Sequence, residues 1–184
     1  QAASLNEDFF FAVVHRRAWV TLKLALTLDG RLADVAGTSR WITGPSSRRL
    51  VHEVRRQHAA IAVGRGTLEA DAPRLTVRHG PSATPARIVF ATRASIPALD
   101  RFRRAAPGHR TIVVAAGGRR GTVDANPETG LEVWHTGSGS SVRRLEAFCG
   151  LAWQQGLPSV LVEGRRGLAS TFLEAGLVNR FWGF

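Results

Sequence analysis

The sequence predicts an α/β fold of three layers, in which helices flank a central, mostly parallel sheet. Short apolar runs typical of buried strands alternate with segments whose apolar residues recur at helical spacing. Glycines and prolines separate these segments, and strands that alternate with helices favour parallel pairing. At 184 residues, the chain has the length of one domain with a substantial core.

The first third of the chain contains one predicted strand and one predicted helix. Residues 1–17 show no periodic pattern and are expected to be an irregular lead-in. Residues 18–28 alternate strictly between apolar and polar side chains, which predicts a strand. A Pro-Ser start predicts a helix over 45–59. Its expected inward face consists of Leu50, Val51 and Val54.

The remaining elements follow in regular alternation. Further strands are predicted at 60–64, 87–91, 111–116, 131–136 and 159–164. The Gly-Gly-Arg-Arg-Gly segment that follows the third of these is expected to be a turn. Helices are predicted over 142–156 and 167–178, and the last six residues are expected to begin one more strand. The inward face of the first of these helices consists of Leu145, Phe148, Leu151 and Ala152.

Composition restricts the function classes. The formal net charge is +11, but the arginines form scattered pairs without interleaved aromatic residues, which argues against nucleic-acid binding. No apolar run approaches the roughly 18–20 residues of a membrane span, and no secretory leader is recognisable, so a cytoplasmic protein is expected. The single cysteine, Cys149, excludes an internal disulfide and a cysteine-based zinc site. The scattered histidines do not indicate a metal site.

The predicted first strand contains Lys23, the only lysine beside 24 arginines. It shares a face with Thr21 and Ala25, because side chains alternate with a period of two. This face is either exposed to water or the floor of a polar cleft. A lysine whose pKa changes on burial would serve a site that needs a proton donor, which arginine cannot be.

Three further segments combine polar groups with strand ends or helix starts. Residues 37–44 contain Ser39 and Trp41 just before the predicted helix. This segment is either a phosphate-binding site at the helix N-terminus or a simple helix cap. Residues 62–78 place a Gly-x-Gly before a threonine, an aspartate and arginines, with Arg78 expected on a short strand. Glu163 ends an apolar strand beside a Gly-rich turn, where a carboxylate is costly unless it is paired or used.

In this order and spacing, "VTLKLALTLDGRLA", "GTSRWITG", "VGRGTLEADAPRLTVR" and "VEG…LASTFLEAGLV" resemble the riboflavin-biosynthesis reductases. These reductases form the C-terminal half of the bifunctional pyrimidine deaminase–reductase and have a dihydrofolate-reductase-like fold. The resemblance implies NADPH-dependent reduction of the ribosyl group of 5-amino-6-(5-phosphoribosylamino)uracil to a ribityl chain. It further implies a cytoplasmic homodimer with a deaminase domain in the full-length protein. Residues 1–17 then resemble the linker between the halves, and 18–184 form a reductase domain expected to be truncated at its C-terminus.

The resemblance also implies roles for individual residues. Lys23 and Glu163 are the implied acid–base pair. The implied substrate-binding residues are Ser39, Arg55, Leu75, Arg78 and Glu163. The implied cofactor-binding residues are Ala25, Trp41, Thr67, Asp71, Thr92, Arg165, Arg166 and Gly167. The chain departs from the family at Arg165-Arg166, where Gly-Pro is usual, at Ala91-Thr92 for Asp-Ser, and at Ala72 for a second aspartate.

The implied mechanism is hydride transfer from NADPH to C1 of the ring-opened ribosylamine, present as an imine. The sequence leaves open whether Lys23 or Glu163 transfers the proton. Two alternatives remain: a dihydrofolate-reductase-like enzyme that reduces another substrate with NADPH, and a basic, non-catalytic module that binds nucleic acid or regulates a partner.

Overall fold

The computed structural model describes residues 6–26, 45–78, 80–91, 96–164 and 166–184, with the main chain alone at 45–48 and 96. The strands in these ranges are β1 (Trp19–Leu24), β2 (Ala60–Gly64), β3 (Ala86–Phe90), β4 (Thr111–Ala115), β5 (Gly117–Asn126), β6 (Leu131–Gly137), β7 (Ser159–Glu163) and β8 (Arg180–Gly183). The helices are α1 (Glu7–His15), α2 (Pro45–Arg56), α3 (Arg65–Asp71), α4 (Ile96–Arg104), α5 (Ser141–Gln154) and α6 (Arg166–Glu174).

The eight described strands form one sheet in the order β5-β6-β4-β3-β2-β7-β1-β8. Only β5 and β6 are antiparallel among these neighbours. Side chains on the two faces build two apolar cores: Ala62 of β2 joins the core that includes α5 and α6, whereas Ile61 and Val63 join the core that includes α4. The three-layer, mostly parallel α/β fold is therefore confirmed.

Most predicted elements are present. Helix α5 also buries the face that was predicted to point inward, which consists of Leu145, Phe148, Leu151 and Ala152. The inward face of α2 was predicted less well. Val51 and Val54 are buried, but Leu50 is 44% exposed and His52 is buried in its place. Among the described residues, no helix has both the length and the hydropathy that crossing a membrane requires.

The prediction of an irregular lead-in is wrong at α1. Glu7 and Asp8 lie in its first turn, where negative charge stabilises a helix. Phe11 then packs edge-on against Trp19 of β1, with ring centroids 5.3 Å apart, and Ala12 is fully buried. The helix therefore depends on tertiary contacts with a strand outside the segment, which local periodicity does not record.

The prediction of a turn at Gly-Gly-Arg-Arg-Gly is also wrong, because this segment opens the long strand β5. Its pairing with β6 shifts register between Gly117 and Thr122, so the glycines form an irregularity within the strand. The hairpin instead turns after Asn126, whose side-chain oxygen accepts hydrogen bonds from the main-chain N–H groups of Glu128 and Thr129.

Arg87 of β3 is a buried arginine that holds the end of α4. Its guanidinium donates hydrogen bonds to the carbonyl oxygens of Phe102 and Arg103 and lies 4.0 Å from the centre of the Phe102 ring. Burial lowers the pKa of Arg87 to about 10, so the side chain remains a cation at neutral pH. The cation satisfies carbonyls that the helix leaves without intrahelical partners.

We expect Arg87→Met to lower the free energy of unfolding by about 2 kcal/mol, because buried carbonyl groups lose their donor. Urea denaturation measures this difference. Arg101→Met is the matched control, since Arg101 is exposed on the same helix and should change stability by less than about 0.5 kcal/mol. Equal urea midpoints for the two variants would show that Arg87 does not stabilise α4.

Candidate active site

The carboxyl ends of β1 and β7 bring the two predicted catalytic residues together. These strands are adjacent and parallel, and Lys23 pairs in register with Glu163. In open sheets of this kind, ligands bind beyond the carboxyl ends of the strands. The proximity of Lys23 and Glu163, which was predicted, therefore follows from the adjacency of β1 and β7 in the sheet.

The polar face of β1 is largely buried. Thr21 is fully buried, and its hydroxyl oxygen lies 2.8 Å from Nε2 of His58 and 3.2 Å from Nε1 of Trp19. Burial lowers the pKa of His58, which favours the neutral ring. Lys23, two residues further along the same face, is half-buried. Of the two interpretations left open by the sequence, the cleft floor agrees with this burial.

Glu163 forms a bidentate ion pair with Arg55 of α2. Nε and Nη2 of Arg55 each donate a hydrogen bond of 2.7 Å to a separate carboxylate oxygen. Nη1 of Arg55 donates to the carbonyl oxygen of Thr76 at 3.1 Å. The side chains of Arg55 and Glu163 are only 14% and 12% exposed, so little water competes for the pair. The guanidinium therefore has its main partners within the protein rather than in solvent.

The cluster sets the protonation states of its members. Burial raises the pKa of Glu163, but the hydrogen bonds and charge of Arg55, with the charges of Lys23 and His52, more than offset it, so that the pKa lies below its usual value. Burial lowers the pKa of Lys23, with Glu163 opposing this and Arg55 adding to it. The carboxylate is therefore ionised, whereas the ammonium holds its proton less firmly than a solvated lysine does.

The segment after α3 folds back over α2. The main-chain N–H of Arg78 donates to Nδ1 of His52 at 3.3 Å. Leu75 adopts a positive φ of 52°, which is strained for a residue with a side chain, and its side chain is buried in the apolar core. Any contact of Leu75 with a substrate must therefore come from its main chain. Arg78 lies outside any strand, contrary to prediction, and its side chain is exposed.

A groove lies next to this cluster, at the ends of β2 and β3. Gly64, Gly66, Thr67, Gly167 and Leu168 contribute to its lining, and its volume is about 310 Å³. The segment from Arg65, for which no helix was predicted, forms helix α3. A methyl group added to Gly164, the residue after Glu163, would lie 3.4 Å from the Thr67 hydroxyl, so the β7–α6 connection packs closely on α3.

The groove offers two groups that suit a dinucleotide cofactor. Oγ1 of Thr67 is buried and has no hydrogen-bond partner among the described residues, as expected for a hydroxyl that binds a ligand. Gly167, in the first turn of α6, offers main chain without a side chain at the groove wall. Two predicted cofactor residues, Thr67 and Gly167, therefore line one cavity.

The other predicted cofactor residues are distributed around this region. Ala25 follows β1 and is half-buried. Asp71 ends α3 and Arg166 begins α6, both with exposed side chains. Ser39, Trp41, Thr92 and Arg165 lie outside the described residues.

Sequence reasoning missed His52, Thr76 and the groove residue Phe90. His52 lies one helical turn before Arg55, so the helical spacing within α2 was a signal that could have found it. Thr76 contributes only its main chain, and Phe90 ends an apolar strand. No sequence pattern therefore indicates a role for either residue in the site. Within the described ranges, no group of three His, Cys, Asp or Glu side chains is arranged to hold a metal ion.

The strand order and the polar groups at the carboxyl edge define the class of dihydrofolate-reductase-like α/β domains. Residues 18–182 match the family model described as the RibD C-terminal domain. The chain belongs to this family.

Individual relatives agree with the assignment. The riboflavin biosynthesis protein RibD of Actinobacillus pleuropneumoniae is 31% identical over 177 residues, which are 96% of this chain and 47% of that protein. A Thermotoga maritima structure, described as a diaminohydroxyphosphoribosylaminopyrimidine deaminase/5-amino-6-(5-phosphoribosylamino)uracil reductase, superimposes with a TM-score of 0.75 at 31% identity, covering 98% of this chain and 48% of that one. Acinetobacter baumannii RibD gives a TM-score of 0.79 at 28% identity over 99% and 49%. The chain thus spans about half the length of these relatives.

Proposed function

We propose that this chain reduces the ribosyl group of 5-amino-6-(5-phosphoribosylamino)uracil to a ribityl chain with NADPH, as an oxidoreductase of riboflavin biosynthesis. The observation that carries the proposal is the half-buried Lys23 beside the Arg55–Glu163 ion pair, at the sheet edge where the cofactor groove begins. The names of the relatives support the same reaction.

Two sets of residues would hold the reactants. Thr67 and Gly167 would bind NADPH from the groove, with Ala25, Asp71 and Arg166 at its margins. The substrate would meet Lys23, the main chain at Leu75, and Arg78. Because Arg55 is engaged by Glu163, the exposed guanidinium of Arg78 is the better candidate for the substrate phosphate. The remaining proposed contacts are Ser39 for the substrate and Trp41, Thr92 and Arg165 for the cofactor.

The different roles of Lys23 and Glu163 follow from their protonation states. NADPH supplies the hydride when bound. Reduction of an imine also needs a proton on nitrogen, and Lys23 is the group suited to give it, because burial has lowered the pKa of its ammonium. Glu163 is a poor acid here, since Arg55 keeps it ionised. Its carboxylate instead stabilises positive charge on Lys23 and on the protonated imine.

We expect the purified chain to oxidise NADPH with the phosphoribosylaminouracil and not with dihydrofolate, and to bind NADPH in a fluorescence titration. Turnover of dihydrofolate instead would support a related reductase with another substrate. Salt-sensitive binding of RNA or DNA without NADPH binding would support a basic, non-catalytic module. Either of these outcomes would contradict the proposal.

The proposal includes a cytoplasmic homodimer that carries a deaminase domain in the full-length protein. Exposed apolar side chains support a partner of some kind, because Phe9, Phe10 and Val14 of α1 and Phe181 of β8 are each more than half exposed. Sedimentation velocity on the chain, with and without the preceding domain, tests both associations.

A further inference from the structure

A second cavity adjoins the groove on the side of the sheet that carries β4 and β6. It lies at the carboxyl ends of β3, β4 and β6 and has a volume of about 170 Å³. Phe90, Leu168 and Thr171 line both spaces, so the cavity and the groove are neighbours. Phe90, Ala91 and Val114 make part of its wall apolar, as a flat aromatic ring system requires.

The lining of the cavity also includes polar side chains, namely Arg144 and Ser141 of α5 and Thr136 of β6. Nη2 of Arg144 donates to the Ser141 hydroxyl at 3.2 Å. Nε of Arg144 is buried and has no hydrogen-bond partner among the described residues. A buried guanidinium N–H without an acceptor is costly, which indicates that an acceptor belongs there.

The surroundings of Arg144 favour an anion. The first turn of α5 contains no acidic residue, and its N–H groups carry partial positive charge. On the adjoining hairpin, the carboxylate of Asp124 is 2.8 Å from His135, and that of Glu132 is paired with Arg110. The planar fork of an arginine matches the oxygens of both carboxylate and phosphate, and phosphate is the one of the two that a nicotinamide dinucleotide carries.

The distance from the catalytic cluster fits an extended dinucleotide. Glu163 lies on β7 and Thr136 on β6, four neighbouring strands apart in the sheet order. At about 4.8 Å per strand, the span is roughly 19 Å. The apolar wall and the guanidinium therefore lie where the nucleotide end opposite the hydride donor would reach.

We infer that this cavity binds the adenosine end of the cofactor and that Arg144 binds its 2′-phosphate, which makes Arg144 the residue that selects NADPH over NADH. The inference rests on the proposed function, because it assumes that a nicotinamide dinucleotide occupies the groove. It adds the residue and the chemical group through which the cofactor is chosen. Ser141, already paired with Arg144, orients the guanidinium toward the phosphate.

Calorimetric titration of the 184-residue chain with NADPH, NADH, 2′,5′-ADP and 5′-ADP tests the assignment without measuring turnover. We expect Arg144→Gln to weaken NADPH and 2′,5′-ADP about 10- to 100-fold and to change NADH and 5′-ADP less than about twofold. Arg144→Lys should give intermediate affinities, since it keeps the charge but loses the fork. Arg143→Gln removes the same charge from the neighbouring position, which does not line the cavity, and should leave all four affinities within about threefold.

The outcomes separate this inference from the proposed function. One contradicting outcome is that wild type binds NADPH tightly and Arg144→Gln binds it equally well. The other is that Arg144→Gln loses affinity for NADH as much as for NADPH. In either case Arg144 does not recognise the 2′-phosphate, but the proposed function stands. Failure of wild type to bind either dinucleotide contradicts both. An unchanged thermal midpoint in Arg144→Gln shows that any loss of affinity is not a loss of folding.

Discussion

Lys23→Met is expected to lower turnover of the phosphoribosylaminouracil at least about 100-fold while changing NADPH affinity less than about threefold. The reason is the position of the ammonium: it is half-buried at the end of β1, beside Glu163, and its pKa is lowered by burial. Methionine keeps the length and packing of the side chain but cannot give a proton. Steady-state kinetics with a separate NADPH titration measures the two effects.

Lys23→Arg is the matched control because it keeps the positive charge but does not release a proton at accessible pH. If Lys23 transfers a proton, the arginine variant should be nearly as slow as the methionine variant. If Lys23 only holds a charge, arginine should restore most of the turnover. Full activity in both variants would remove Lys23 from the mechanism.

The pH dependence of turnover has a defined sign. Protonated Lys23 is the active form, so turnover should fall as pH rises through its lowered pKa. Glu163 raises that pKa and Arg55 lowers it. Glu163→Gln removes the negative charge that raises the pKa of Lys23 and leaves the positive charge of Arg55 unpaired. The pKa of Lys23 should therefore fall, and the alkaline limb of the kcat profile should move to lower pH. A limb that stays in place or moves to higher pH would contradict the coupling of Lys23 to Glu163.

Arg55→Met is expected to lower the free energy of unfolding by about 3 kcal/mol at pH 7, measured by urea denaturation. The change removes the bidentate partner of a carboxylate that is only 12% exposed and breaks the hydrogen bond to the Thr76 carbonyl. An ionised carboxylate left in this position loses far more than a surface ion pair contributes. The double variant Arg55→Met/Glu163→Met should be more stable than Arg55→Met alone, because it leaves no uncompensated charge.

The loss of stability in the single variant Arg55→Met should depend on pH. In the wild type, the lowered folded-state pKa of Glu163 contributes stability above the unfolded value of 4.5, and this contribution is lost as pH falls through the folded value. In Arg55→Met, burial acts on Glu163 without the opposing guanidinium, so protonation relieves the penalty. The difference in unfolding free energy between wild type and variant should therefore shrink from pH 7 toward pH 4. A difference that is constant with pH would show that Glu163 is not held ionised by Arg55.

Much of the sheet could be predicted because its central strands are short apolar runs buried on both faces, such as β2 and β7. The location of Lys23 followed from strict alternation along β1. The elements that were missed depend on distant contacts: α1 on Phe11 against Trp19, and the end of α4 on Arg87. Local sequence cannot record such contacts, because they join segments through the folded core.

The proximity of Lys23, Arg55 and Glu163 could be predicted, but the pairing of Arg55 with Glu163 could not. The family resemblance implied Lys23, Arg55 and Glu163 in one site, with Arg55 among the residues that bind the substrate. The structure instead pairs Arg55 with Glu163, across 108 residues of chain. That pairing depends on how α2 lies over β7, which no spacing within either element determines. Arg144 was not identified for a similar reason, since its significance comes from an unpartnered Nε in a cavity formed by five elements.

The central claim is that this site delivers a hydride to C1 of the ribosylamine and a proton to its nitrogen. The most direct measurement uses NADPH that carries deuterium at C4 of the nicotinamide, in the position that is transferred, with the phosphoribosylaminouracil and the 184-residue chain, followed by NMR of the product. We expect one deuterium on C1 of the ribityl chain, with none in the parallel reaction of Lys23→Met on the same timescale. A product that carries deuterium on another carbon, or no deuterium-containing product from the wild type, would contradict the claim.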